Sequence, residues 1–220
     1  MTREEFEIKL IEDLVKGIDD IYDYLEDNLE VLQDKDNKDH FREYFLNDPY
    51  WAYFYADEVD KCPRKETRKA ACKKPCEAYW YAKRVDKCPR DDTRKEACKD
   101  PEWAFLYAYE VDYCPREDTR KSACKNPYSA YRYAWYVDKC PREDTRKAAC
   151  KDPYSAYWYA REVDYCPRDD TRKAACKKPW FAYIYARHVD KCPEEDTFNG
   201  VKGTDYEERY LRNIGVTNND

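Results

Sequence analysis

Glycine is nearly missing from this chain: Gly17, Gly200, Gly203 and Gly215 are the only ones in 220 residues, and none falls between residues 49 and 193. That excludes the glycine-rich loop on which phosphate-binding folds rely, and it leaves the middle of the chain without flexible hinges. Histidine is as scarce, at His40 and His188, so no nucleophile has a histidine base near it and a zinc site would lack ligands. These absences predict a protein that is not an enzyme, with no catalytic residues, no metal site and no cofactor. Long apolar runs are missing too, and a membrane span needs about 20 such residues. The opening segment MTREEFEIKL is charged where a secretory signal would be apolar. The expectation is a cytoplasmic protein that does not engage a membrane.

Proline, by contrast, is present and strictly placed. One set is Pro49, Pro75, Pro101, Pro127, Pro153 and Pro179, the other Pro63, Pro89, Pro115, Pro141, Pro167 and Pro193, each spaced by 26 residues. A self-similar period of this size marks units that bury their apolar faces only by stacking on one another. The predicted fold is therefore all-α, an α-solenoid of six 26-residue two-helix repeats with helical N- and C-terminal caps. Residues 1–46 form an acidic helical N-terminal cap, 47–198 the solenoid, and 199–220 a C-terminal capping helix and tail. Charge divides similarly, with net −9 over residues 1–46, +7 over 47–193 and −4 over 194–220.

Counted from its first proline as position 0, the unit reads P-x-x-A-Y-x-Y-A-x-x-V-D-x-C-P-R-x-D-T-R-K-x-A-C-K-x. Asp48, Asp100, Asn126 and Asp152 precede first-set prolines and predict helix N-caps with proline in the first turn. This first helix should run to the cysteine at position 13. A helical wheel then places positions 3, 6, 7, 10 and 13 inward, which in the fifth repeat are Ala156, Tyr159, Ala160, Val163 and Cys166. The second proline ends that helix, and Asp170-Thr171 is placed to cap a second one of about eight residues.

The flanks are helical in pattern. Thr2-Arg3-Glu4-Glu5 is a capping-box sequence, followed by Ile11, Leu14, Ile18, Ile21, Leu25 and Leu32 at spacings of three and four. They predict one long helix, bent near Gly17, that either caps the array or pairs with a second copy. The chain is accordingly read as a monomer, or as a homodimer through the N-terminal helix. The sixth repeat decays at Phe198, Asn199 and Gly200, and Thr204 to Glu207 offers a second capping box ahead of Tyr206, Tyr210 and Leu211.

Twelve cysteines recur, at position 13 (Cys62 to Cys192) and position 23 (Cys72 to Cys176), with Cys76 apart. If the two helices of a unit are antiparallel, these positions lie about 9 Å apart along the axis, while a disulfide needs Cα atoms within about 7 Å. Reduced, buried thiols are favoured, and a disulfide-stapled structural array remains the alternative. Aspartate recurs at position 11 and arginine at position 19, predicting a ladder of structural ion pairs. Asp190 should be the one short of a partner, because Phe198 replaces arginine in its own repeat.

Arg64, Arg90, Arg116, Arg142 and Arg168 follow the second prolines and would line one edge as a basic rail. With aromatic side chains, such a rail permits nucleic-acid or nucleotide binding. Substitutions between repeats gather at positions 1, 2, 5, 8, 9 and 12, where Trp103, Trp135 and Tyr136 stand as candidate anchors for a protein partner. The unit P-x-x-A-Y-x-Y-A-x-x-V plus a short helix resembles the Tyr/Ala-rich helical-hairpin repeats of uncharacterised proteins of large phages and other viruses, and more distantly tetratricopeptide-type solenoids. The resemblance covers residues 47–193. The unit lacks the Trp-Leu-Gly signature and is shorter than the tetratricopeptide period of about 34, so peptide-groove binding does not carry over. The resemblance implies a viral protein and a helical-repeat architecture. The expected function is a non-enzymatic scaffold for protein–protein interaction, a viral protein engaging a host factor.

Overall fold

The computed structural model describes residues 3–16 and 24–215, and every element among them is helical. The chain divides into two compact units, residues 1–97 and 98–220. Within each, successive 26-residue repeats fold as paired helices that pack on their neighbours, which is the arrangement of an α-solenoid. No helix among the described residues is long and apolar enough to cross a membrane.

The first helix of each repeat begins as the proline spacing predicts. Asp100 accepts the backbone N–H groups of Glu102 and Trp103 at 2.9 and 3.2 Å, and Asp48, Asn126 and Asp152 cap their own helices. After six or seven residues the α-helix passes into a π-helical turn, as at Tyr81–Asp86, Tyr133–Asp138 and Ala160–Asp164. Each turn stops at the aspartate, two residues before the cysteine that the wheel had placed inside the helix. The following residue, Lys61, Lys87, Tyr113, Lys139, Tyr165 or Lys191, adopts a left-handed conformation with φ of 52–58°. A non-glycine residue there costs about 1 kcal/mol, and the same conformation recurs in all six repeats.

The π-turn has a geometric consequence. In an α-helix, residues five apart are rotated by about 140° from one another. Hydrogen bonding from i to i+5 brings them back over each other, so the tyrosine at position 6 and the aspartate at position 11 share a face. Both then reach the short helix of the preceding repeat.

That short helix has seven residues, as in Glu143–Ala149 and Asp169–Ala175. It starts earlier than expected. Arg168, extended at φ −140°, occupies the N-cap with no side-chain cap bond, and Asp170 instead accepts the N–H of Thr171 at 2.8 Å. Thr171 Oγ1 donates back to the Arg168 carbonyl at 3.1 Å.

The core is thin and repeated. In the fifth repeat Ala156, Tyr159, Ala160 and Val163 are buried, joined by Tyr157, while Cys166 is exposed. Cys88, Cys114, Cys140 and Cys192 are exposed as well. The inward placement of the position-13 cysteines is thereby corrected: the left-handed residue turns the chain outward just before them.

At the N-terminus lie α1 (Arg3–Lys16), α2 (Leu29–Gln33) and α3 (Lys38–Phe45). Beyond residue 28 the expected single long helix is replaced by the two short ones. Phe6, Leu10, Leu25, Leu32, Phe41 and Phe45 form the flank's core against Trp51, Phe54 and Tyr55. Ile11, expected inside, is 42% exposed, as is its neighbour Ile8 at 61%. Thr2, Ile18, Ile21 and the bend expected at Gly17 lie outside the described residues, as does the side chain of Leu14. The last helix, α4 (Glu207–Asn213), buries Tyr210, while Leu211 stays 38% exposed. Its lead-in departs from a capping box, since the Glu207 carboxylate accepts the N–H of Gly203 at 2.7 Å.

Candidate binding surface

Constant positions of the repeat are consumed by stacking. Arg120 donates from Nε and Nη2 to Asp138 at 3.1 and 2.7 Å, Arg146 does the same to Asp164, and Arg172 to Asp190. Arg68 forks onto Asp86 in the same way. Each arginine binds the aspartate of the next repeat, 18 residues on, rather than its own. Asp190 is therefore paired, contrary to expectation. Hydrogen bonding to Asp190 holds the Arg172 guanidinium above its ordinary pKa, while burial raises the Asp190 carboxyl against the lowering effect of Arg172.

The tyrosine at position 6 locks the same junction. Tyr159 accepts the Arg142 N–H at 2.9 Å, lies 2.9 Å from Thr145 Oγ1, and donates to the Arg142 carbonyl at 3.0 Å. Tyr81, Tyr133 and Tyr185 repeat this with Arg64, Arg116 and Arg168. The recurring Tyr, Thr, Asp and Arg thus hold repeats together and offer little to a ligand.

The five rail arginines, Arg64, Arg90, Arg116, Arg142 and Arg168, have exposed side chains at the starts of the short helices. Carboxylates accompany three of them: Asp92 lies 3.7 Å from Arg90, Asp112 3.4 Å from Arg116, and Asp144 3.7 Å from Arg142. Their field on a polyanion is thereby diluted.

The cysteines fall into two environments. Burial pushes Cys72, Cys150 and Cys176 up to about 12 and Cys124 up to about 11. The exposed position-13 thiols sit on the loop beyond the π-turn.

Variable positions 8, 9 and 12 all lie on the π-turn and the residue that ends it. They read Asp57, Glu58, Lys61 in the first repeat, Lys83, Arg84, Lys87 in the second, Trp135, Tyr136, Lys139 in the fourth and Arg161, Glu162, Tyr165 in the fifth. In unit 98–220 this edge is hollowed by a cavity of about 360 Å³ among repeats three, four and five. Trp135 and Tyr136, two of the candidate anchors, line it with Tyr109, Lys139, Glu162 and Tyr165. Trp103 is half-buried and does not line this cavity. Sequence reasoning passed over Tyr109, Glu162 and Tyr165, although positions 8, 9 and 12 are among the places where the repeats disagree. The rings are held by packing: Trp135 and Tyr136 centroids lie 4.5 Å apart, Tyr109 and Tyr136 5.5 Å apart, and Tyr131 stacks behind Trp135 at 5.6 Å.

Comparison with protein-family models, with curated proteins and with solved structures gave no match for this chain.

Proposed function

We propose that the protein is a non-enzymatic repeat scaffold that binds another protein through the variable edge of its π-turns, with the aromatic cavity at Trp135 and Tyr136 as the anchor point. In the setting implied by the resemblance to viral repeat proteins, that partner is a host factor. The observation that carries the reading is the division of labour within the repeat. Constant residues are spent on junctions, while three of the six variable positions, 8, 9 and 12, gather on the π-turn edge and in repeats three to five surround a cavity in the size range of side-chain and small-ligand pockets. Trp and Tyr are also the residue types that dominate binding energy at protein interfaces.

The test is capture from lysate followed by reconstitution with the purified partner. Binding should survive raised salt, fall sharply with Trp135→Ala, and persist when all five rail arginines become Gln. Steep salt dependence and loss in the Gln variant would instead establish a polyanion as the ligand. Exposed Ile8 and Ile11 of α1 are the surface for the proposed homodimer. Sedimentation equilibrium tests it, with Ile8→Glu expected to leave only monomer.

A further inference from the structure

The cavity in unit 98–220 has a composition that selects among kinds of anchor. Its volume of about 360 Å³ lies at the low end of ligand sites, enough for one ring-bearing side chain and its backbone. Three walls are rings already in mutual contact, Trp135, Tyr136 and Tyr109, with Phe105 stacked behind Tyr109 at 5.8 Å. A fourth ring, Tyr165, stands at the rim with 76% of its surface exposed. Such tilted, offset contacts are the geometry aromatic groups prefer, and an inserted ring extends the series.

The polar groups are few and opposed in sign. Glu162 and Lys139 both line the cavity, one carboxylate against one ammonium. Arg161 Nε sits 3.1 Å from Glu162, while its guanidinium lies 5.2 Å over Trp158. A charged side chain of either sign would meet one group of its own sign, a cation Lys139 and an anion Glu162. A neutral ring with a hydrogen-bonding edge avoids both penalties, since a phenol or an indole N–H can donate to Glu162 and a phenol oxygen can accept from Lys139. Positions 8, 9 and 12 of the first two repeats hold six charged residues, Asp57, Glu58, Lys61, Lys83, Arg84 and Lys87, so the aromatic combination belongs to repeats three to five.

We infer that this cavity receives a tyrosine or tryptophan side chain presented by an exposed segment of the partner protein. The source of the ring rests on the scaffold reading above; its chemical kind rests on the cavity walls.

The experiment titrates the full-length protein with N-acetyl-tyrosinamide, N-acetyl-tryptophanamide, N-acetyl-leucinamide and N-acetyl-argininamide, reading the Trp135 indole N–H by NMR, assigned through Trp135→Phe. Both aromatic amides should give a saturable shift and bind about fivefold or more tightly than the leucine and arginine amides. Tyr109→Ala and Tyr165→Ala remove rings that are already solvent-exposed, so the fold should persist by circular dichroism while the response weakens. Equal binding of the arginine or leucine amide overturns the inference, as does the absence of a saturable shift with any amide. If the amides fail but Trp135→Ala still abolishes binding of the reconstituted partner, the inference falls and the scaffold reading stands. If the aromatic amides bind but no partner is retained, the scaffold reading falls and the cavity's chemistry stands.

Discussion

Arg42 binds Asp60 from Nε at 3.0 Å and Nη2 at 2.6 Å, the same fork by which Arg120 binds Asp138. Arg42 lies 26 residues before Arg68, one period ahead of the first repeat arginine. Helix α3 is therefore the short helix of an extra, incomplete repeat, and Tyr55 confirms the register by donating to the Lys38 carbonyl at 2.7 Å, as Tyr81 does to that of Arg64 at 3.0 Å. At the other end Tyr210 of α4 accepts the Glu194 N–H at 3.2 Å and meets Thr197 at 2.8 Å, replacing the tyrosine of a seventh unit. The caps work by imitating the half of a repeat that each end would otherwise lack.

Breaking one of these ion pairs should be costly, because the Asp164 side chain is 1% exposed and its carboxylate would be left buried without a partner. Arg146→Ala is expected to lower unfolding free energy by about 3–5 kcal/mol, while the double change Arg146→Met with Asp164→Leu should recover most of that loss. Arg42→Ala, outside the proline-marked repeats, should behave like Arg146→Ala. Urea unfolding midpoints check all three.

Gly200 stands where other repeats carry Ala70, Ser122 or Ala148, and it is a packing residue. A Cβ there would lie 2.7 Å from Ala182 Cβ and 3.1 Å from the Cys176 carbonyl. Gly200→Ala should therefore destabilise by about 1–3 kcal/mol through overpacking, the reverse of the usual gain from glycine to alanine in a helix. Thermal unfolding of the single variant decides the sign.

The thiols should react as two classes. Brief native treatment with iodoacetamide is expected to label exposed Cys88, Cys114, Cys140 and Cys166 and to spare Cys72, Cys124, Cys150 and Cys176. Peptide mass mapping reads the pattern, and labelling of all twelve after denaturation provides the reference. Equal native labelling of both sets would contradict the burial of the second.

Stability should decline on the alkaline side. Folding raises the pKa of Cys72, Cys150 and Cys176 to about 12, from the ordinary value of 9.0. Their contribution is complete below about pH 9, where both states are protonated. It is lost between about pH 9 and 12, as the unfolded chain releases protons that the folded chain retains. Urea titrations across that window should show a falling midpoint, and replacing all three with alanine should lessen the fall, the part that remains coming from buried tyrosines such as Tyr159 and Tyr185 that burial also raises above 10.0.

Much of the architecture was legible in residues taken one repeat at a time. Asp48, Asp100, Asn126 and Asp152 cap helices as their position before proline indicates, because capping is a bond between near neighbours. Tyr159, Ala160 and Val163 fall inside as the wheel places them. Cys166 does not, because the wheel assumes an unbroken α-helix and a π-turn carries no compositional mark. Trp135 and Tyr136 stand out in the sequence through their departure from the consensus, and both line the cavity. Glu162 was not, because a carboxylate becomes part of a site only when a neighbouring repeat places rings around it.

By itself the sequence determined the period, the two-helix unit, the starts of the proline-led helices and the separation of constant from variable residues. Those properties follow from proline geometry, capping and hydrophobic periodicity, which act over a few residues. Only the tertiary structure decided that Asp164 is answered by Arg146, that α3 and α4 complete the end repeats, that Gly200 needs its missing side chain, and that the variable edge encloses a cavity. Each depends on contact between chain segments well apart in sequence, and such contact exists only once one repeat has been laid on the next.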